Sequence, residues 1–478
     1  MYRNQPDSFD WYAQAPQPEL TDGDTNGASE PEEHDLDKEP LRPSGFAEWF
    51  ALGLTFLPAL LFLPGSQAYR LPLRIGAYAI SLYAFMLWWF DRAGRKEGKH
   101  PAERFLLLVL LVLGLGLAHP LTSTLQSGLA QIGLYFAIFC PLFWARAYIT
   151  TRRQLVRIVL TLLVCNGINS MVGVMQVYNP QQWMPRELSA LYQGNSDFLM
   201  AATYIGPGGR LIIRPPGLFD TPGAVCSAGT IAALFGLILV LEPLAIWKRA
   251  IALGMAIAGI SAIYLSHVRV SLVITVGMMV TYVVMLTAQK QTKRVAGFAM
   301  LSVGLVMGGL SIATVLGGES IMDRFSTLLA EDPRELYYRS RGQSVEYAFN
   351  NLLVEYPLGA GLARWGMMNY YFGDPHQLDA PPVFAEVQPN AWLLDGGVFL
   401  LGFYTIALIV TAVYDLKLVR SLANREDRLW AAAVIAANFG TLALVFSFVP
   451  FGTGAGMQFW FLEGGLHGAM AKRPRIRT

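Results

Sequence analysis

Long apolar runs separated by short polar connections dominate the chain from about residue 46 onward. Runs near 46–65, 73–90, 105–119, 129–148, 156–178, 223–242, 250–268, 270–288, 295–317, 392–414, 429–450 and 455–470 each approach the ~20 residues that a helix needs to cross a bilayer. The pattern predicts an all-α, polytopic membrane protein with about twelve spanning helices. One polar interruption is far longer than the others, about 319–391. Loops between spans are usually short, so a long one holding Arg-rich and Gly-rich segments is expected to be the working part.

Within that loop a helix is predicted from Tyr338 to about Glu355. At 100° per residue, Arg339, Gln343, Glu346 and Asn350 fall in one polar stripe, with Val345, Ala348, Phe349 and Leu352 opposite. Arg341 lies about 200° from Arg339, so the two cannot enter one site. Arg339 is favoured as the site residue, and Arg341 is expected to pair with an acidic neighbour or cap the packed face. The run Tyr356-Pro357-Leu358-Gly359-Ala360-Gly361 then stops the helix and folds the loop back over the membrane surface.

Composition agrees with the pattern: 54% of residues are hydrophobic and only 15% charged, against roughly 25% charged in soluble domains. With the N-terminus placed in the cytoplasm, the inner connections carry 22 Lys/Arg and the outer ones 11, none of them Lys. The positive-inside rule then puts both termini in the cytoplasm and the long loop on the extracytoplasmic side. Residues 1–43 hold eleven Asp/Glu against three Lys/Arg and little to bury, which predicts a disordered acidic tail. That tail lacks the basic start and apolar run of a secretory signal, so the first helix is expected to act as an uncleaved insertion signal. Cys140, Cys165 and Cys226 lie in or at the ends of apolar runs and offer neither a disulfide framework nor zinc-ligand spacing. No phosphate-binding glycine loop ending in Lys-Ser/Thr occurs, and no repeat of the transporter kind is visible.

Arginines on the outer side run against the charge bias and therefore attract attention. Arg214 sits in Ile212-Ile213-Arg214-Pro215-Pro216-Gly217-Leu218-Phe219, a turn stiffened by its prolines just before a span. Arg269 lies in the tight junction Ser266-His267-Val268-Arg269-Val270-Ser271 between two spans. Arg339 and Arg341 open the loop helix. A single arginine at a membrane boundary commonly snorkels to lipid phosphate. Several on one side, each presenting a fork of donors, point instead to a phosphate-bearing substrate. Inside the spans, Glu463 and His467 are one helical turn apart and are expected to satisfy each other. Asn166, Asn169 and Asn438 are expected to bond between helices. Asp395, five residues after Asn390, is expected to face the same cavity as Asn390.

Taken in order, these segments resemble the O-antigen ligase and polysaccharide polymerase superfamily of bacterial envelope proteins. The resemblance rests on the Arg-Pro-Pro-Gly-Leu-Phe turn, the Ser266–Ser271 junction, the Arg339 helix and Pro357-Leu358-Gly359-Ala360-Gly361, and it covers roughly 210–415. It implies an integral inner-membrane glycosyltransferase of about a dozen helices that needs no metal or other cofactor and uses a glycan carried on undecaprenyl diphosphate. Arg269 and Arg339 would hold the diphosphate and stabilise the charge that grows as the glycosyl bond breaks. Arg214, Arg341, Gln343, Asn390 and Asp395 would line the substrate site. The acceptor would be a second glycan, a lipid or a protein, with other polysaccharide assembly proteins as partners and no nucleic acid. The ligases place a catalytic His directly before an Asn at the end of the loop, where this chain has Pro389-Asn390. The role of base then passes to His376, Glu386 or Asp379, in that order of preference. A non-catalytic scaffold of polysaccharide assembly and a lipid-linked glycan transporter are the competing expectations.

Overall fold

The computed structural model describes residues 45–63, 65–91, 98–185, 188, 196–374 and 383–471. The acidic tail, His376 and Asp379 lie outside these described residues. The described residues fall in the second of the chain's two units, Arg42–Thr478.

The principal helices, in chain order, are α1 (Phe46–Phe56), α2 (Arg70–Phe90), α3 (Glu103–Gly116), α4 (Leu125–Phe139), α5 (Pro141–Tyr148), α6 (Arg152–Tyr178), α7 (Val225–Val240), α8 (Ile246–Leu265), α9 (Arg269–Ala288) and α10 (Thr292–Gly317). After them come α11 (Glu319–Ala330), the loop helix α12 (333–355), α13 (Gly366–Phe372), α14 (Gln388–Ser421), α15 (Arg425–Leu444) and α16 (Gly454–Met470). Among the described residues, seven helices are long and apolar enough to cross a membrane, an architecture consistent with a multi-pass membrane protein. The outward faces support that reading. Val273, Val276, Val280 and Val284 form an exposed apolar stripe on α9, and Met300, Val303 and Met307 another on α10, the surfaces that hydrocarbon would cover.

Ion pairs sort the helix ends into two faces. On one, Arg157 pairs with Glu48 at 3.5 Å, Arg152 with Glu426 at 2.8 Å, Arg294 with Glu242 at 2.6 Å, and Arg146 with Glu103. On the other, Asp220 holds both Arg70 and Arg74, and Thr124 donates to the Phe372 carbonyl at 2.8 Å. This second face carries α11 to α13 and is called the loop face below.

Two departures from the expected all-helical pattern shape that face. An antiparallel hairpin pairs β1 (Thr203–Ile205) with β2 (Leu211–Ile213) just before the Arg214 turn. Within α14, Gly396 and Gly397 leave helical geometry, Gly397 at φ 61 and ψ −152. The broken turn is completed by the Pro357–Gly361 segment: Ala360 N–H donates to the Leu394 carbonyl at 2.7 Å, and Val398 N–H to the Pro357 carbonyl at 2.9 Å. Non-helical backbone at membrane depth must be satisfied by protein in this way. Gly361 has φ 95, and a Cβ there would fall 2.3 Å from the Leu121 carbonyl, which is why the turn after α12 needs glycine.

Candidate functional site

A cationic centre forms where two sequence motifs meet. The Arg214 turn is built on α6: Asn169 Oδ1 accepts from Leu218 N–H at 2.8 Å, while Gln176 bonds both backbone groups of Gly217, at 2.8 and 2.7 Å. Arg214 N–H extends the hairpin by donating to the Ala202 carbonyl at 2.9 Å, and Gly223 N–H closes the turn onto the Arg214 carbonyl at 3.1 Å. Gly223 in turn packs beside Val268 and the Ser266 carbonyl. The N-termini of α7 and α9 therefore come together at this point, and helix N-termini favour anions.

Arg269 is the first residue of α9 and its guanidinium donates to Thr327 Oγ1 of α11 at 2.6 Å. Arg324, one turn earlier on α11, joins the group: burial first, then the like charges of Arg269 and Arg214, push its proton affinity down. His267 completes the centre. It is 4% exposed, stands at φ 57, stacks on Tyr204 with ring centroids 3.8 Å apart, and has no hydrogen-bond partner at Nε2. Burial, followed by Arg214 and Arg324, lowers its pKa to about 3, so the imidazole is neutral among the guanidinium groups. Gathering like charges costs energy unless an anion compensates them.

Arg339, on α12, faces other partners. It pairs with Glu331 at 3.1 Å and Glu335 at 3.5 Å and is largely exposed. Glu331 is four residues beyond Thr327, about 6 Å along α11 by helical rise. Arg341 pairs with Glu386, so of its two expected roles, pairing with an acid or capping the packed face, it takes the first, with a partner distant in sequence. The two arginines thus diverge as their spacing requires.

Glu386 also accepts from Ser344 Oγ and lines a pocket of about 400 Å3 together with Gln343, Ser344 and Asn390. Sequence reasoning placed Gln343 and Glu346 in one stripe, but Glu346 lines the groove on the other side of α12, where it accepts from Tyr338 Oη at 2.6 Å. The two lie on one α-helical stretch, Gln343–Tyr347, between π-helical stretches at Tyr338–Gly342 and Ala348–Leu352. They are about 60° apart there, and the boundary between the two grooves falls between them.

Asp395 does not line this pocket. One of its carboxylate oxygens accepts from Gln131 at 2.8 Å, Tyr135 at 2.9 Å and Trp365 at 3.0 Å, so it ties α4 to the helix break. Three other expectations are decided. Glu463 bonds His100 at 3.1 Å and Asn438 at 3.3 Å, whereas His467 bonds Tyr414 at 2.6 Å and the Gly98 carbonyl at 3.1 Å, so the two do not satisfy each other. Asn438 and Asn169 do bond between elements. Asn166 instead donates back to Leu162 within α6. Among the described residues, no group of three or more His, Cys, Asp or Glu side chains is placed to hold a metal ion.

Fold and site together describe a helical protein of the multi-pass membrane kind with a cationic centre on its loop face. No protein-family model matches the chain, and no curated protein matches it either.

Proposed function

We propose that the protein is a membrane glycosyltransferase that ligates or polymerises glycans carried on a polyprenyl diphosphate, undecaprenyl diphosphate by its resemblance to the O-antigen ligase and polymerase superfamily. One observation carries this reading: Arg214, Arg269 and Arg324, from a turn and two helices, converge where two helix N-termini meet. The topology that goes with it has twelve spans, adding the shorter helices α1, α3, α7 and α16 and the polar-ended α15 to the seven long ones. Both termini are then cytoplasmic and the loop face looks outward from the bacterial inner membrane, as the charge asymmetry requires.

In this reaction an acceptor hydroxyl attacks the anomeric carbon, the bond from that carbon to the diphosphate oxygen breaks, and the electron pair leaves on the diphosphate. Guanidinium groups fixed before the reaction stabilise the departing charge without reorganisation. Arg214, Arg269 and Arg324 take that role, with Arg339 reaching from α12 to Glu331 at the end of α11. The acceptor proton passes to a base or to the departing phosphate oxygen. Among the described residues Glu386 is the candidate base, held by Arg341 and Ser344.

The test is glycan assembly in the host with Arg269→Ala, Arg269→Lys and Arg339→Ala. Both alanine variants are expected to lose product at normal membrane abundance. Lysine is expected to rescue poorly because it lacks the bidentate fork. Near-normal product with Arg269→Ala removes the diphosphate site. Carrier binding without any transfer by the unaltered protein would favour the scaffold instead.

A further inference from the structure

The pocket between α12 and the start of α14 differs chemically from the cationic centre. We propose that it seats the sugar end of the acceptor glycan, reading hydroxyl groups rather than phosphate. This rests on the glycosyl-transfer reading above and adds to it the place and chemistry of the acceptor.

Three observations support it. First, none of the residues lining the pocket is cationic, and the nearby Arg341 is closed onto Glu386. The other cation at the pocket's edge, Arg364, is held by Tyr356 and by the Ala360 carbonyl at 2.9 Å, so an anion would have to displace existing bonds. Of the pocket's two carboxylates, Glu386 already has its charge compensated by Arg341 and Glu355 bonds Tyr356, and both offer oxygens that accept from hydroxyl donors. Second, Asn390 lines the pocket, is 3% exposed, and has no partner at Oδ1. A buried acceptor left unpaired costs about 1–3 kcal/mol, a cost that a ligand hydroxyl would remove. Third, Tyr347, Tyr356 and Phe384 line the same cavity, facing Gln343 and Glu386. Aromatic faces beside a few convergent acceptors suit a sugar, which carries apolar C–H faces and a rim of hydroxyls. At about 400 Å3, the cavity is at the small end of ligand pockets.

The sequence also explains why Asn390 points inward here. Pro389 occupies the first turn of α14, where a missing N–H costs nothing. Gln388 Oε1 accepts from Phe451 N–H at 2.8 Å, anchoring that turn to the short turn Pro450–Gly452 that precedes α16. The anchor leaves Asn390 on the side of Glu386 and Leu394.

The experiment places the photo-crosslinking amino acid p-benzoylphenylalanine at position 384 of the full-length protein in its host and, as a control, at position 349, which lines the opposite groove. After irradiation of intact membranes, a position-384 adduct that carries periodate-oxidisable carbohydrate is expected. Its yield should fall at least tenfold with Asn390→Leu or Gln343→Leu, and should be kept by Asn390→Asp, which retains the acceptor oxygen. Membrane abundance is measured for every variant, and having two walls tested separately covers the loss of either one through misfolding. No carbohydrate at position 384, equal capture at 349, or capture indifferent to both leucine variants overturns the inference. If glycan product still depends on Arg269 in those cells, the glycosyl-transfer reading survives that failure. If it does not, the reading falls as well.

Discussion

Arg324→Gln separates a binding role from a structural one because the two predict opposite changes in stability. Arg324 is half-buried beside Arg269 and Arg214. Like charges several ångströms apart near a protein surface repel by roughly 1–2 kcal/mol, and screening reduces this further. Removing the charge while keeping an amide of similar reach should leave the unliganded protein as stable as before, or more stable by up to about 1 kcal/mol. A bound diphosphate loses a charge-assisted hydrogen bond worth about 1.5–3 kcal/mol, which is roughly a 10- to 150-fold weaker affinity. The assay is calorimetric titration of purified protein in detergent with geranyl diphosphate, a short soluble polyprenyl diphosphate, alongside thermal unfolding of both forms. Unchanged affinity with a lowered unfolding temperature would mean that Arg324 is a packing residue, and the argument from convergent charge would fail.

The buried His267, with its pKa near 3, makes stability pH-dependent. Its folded-state pKa lies below the ordinary ~6.5, so its contribution is complete above that pH and is lost as pH falls toward 3. Between pH 7 and 4.5 the loss should be about 2–3 kcal/mol, and His267→Gln should remove that part of the slope; an identical slope in the variant would refute the assignment. Topology is checked by single cysteines at the exposed positions Ser326 and Thr292 in a background without the native cysteines. A membrane-impermeant thiol reagent added to intact cells should label the first and spare the second, and the reverse would invert the proposed orientation. Gly397→Ala places a Cβ 2.1 Å from the Pro357 carbonyl at a φ of 61; a loss of about 2–4 kcal/mol is expected in thermal unfolding, and a wild-type melting temperature would argue against the broken helix.

Local pattern exposed the helices but not their meeting points. The apolar runs, the turn at Arg214 and the stop at Pro357 were legible because each is decided by its own few residues. Arg324 was not, since it lies in a polar helix next to Asp323 and nothing local relates it to positions 214 and 269. Only the packing of α9 against α11 does that. The division of Gln343 from Glu346 was lost for a different reason: they share one α-helical stretch, and periodicity gives the angle between two residues but not where the boundary between two grooves falls. The break at Gly396–Gly397 did leave a signal, a Gly pair inside an apolar run, although its partner, the Pro357–Gly361 segment, is far away in the sequence.

A transporter needs polar groups along its path, and the structure buries several on the face opposite the loop. His100, Asp415, Glu463 and His467 are buried on the face opposite the loop, and Asp415 and Glu463 lie against each other. Buried ionisable groups in spans are commonly functional, so their bonds matter. Glu463 joins α16 to His100, just before α3, and to Asn438 on α15. His467 joins the same helix to Tyr414 on α14 and to the Gly98 carbonyl. Four elements are therefore cross-linked at one level by bonds that span them. A translocation path has to break such bonds in every cycle, whereas a scaffold that holds the α14 break and the loop face still gains from keeping them. Removing one member would leave its partners unpaired where no water reaches them, a cost of several kcal/mol in hydrocarbon. The cluster therefore fits a fixed frame behind the loop-face site better than a carrier's moving gate.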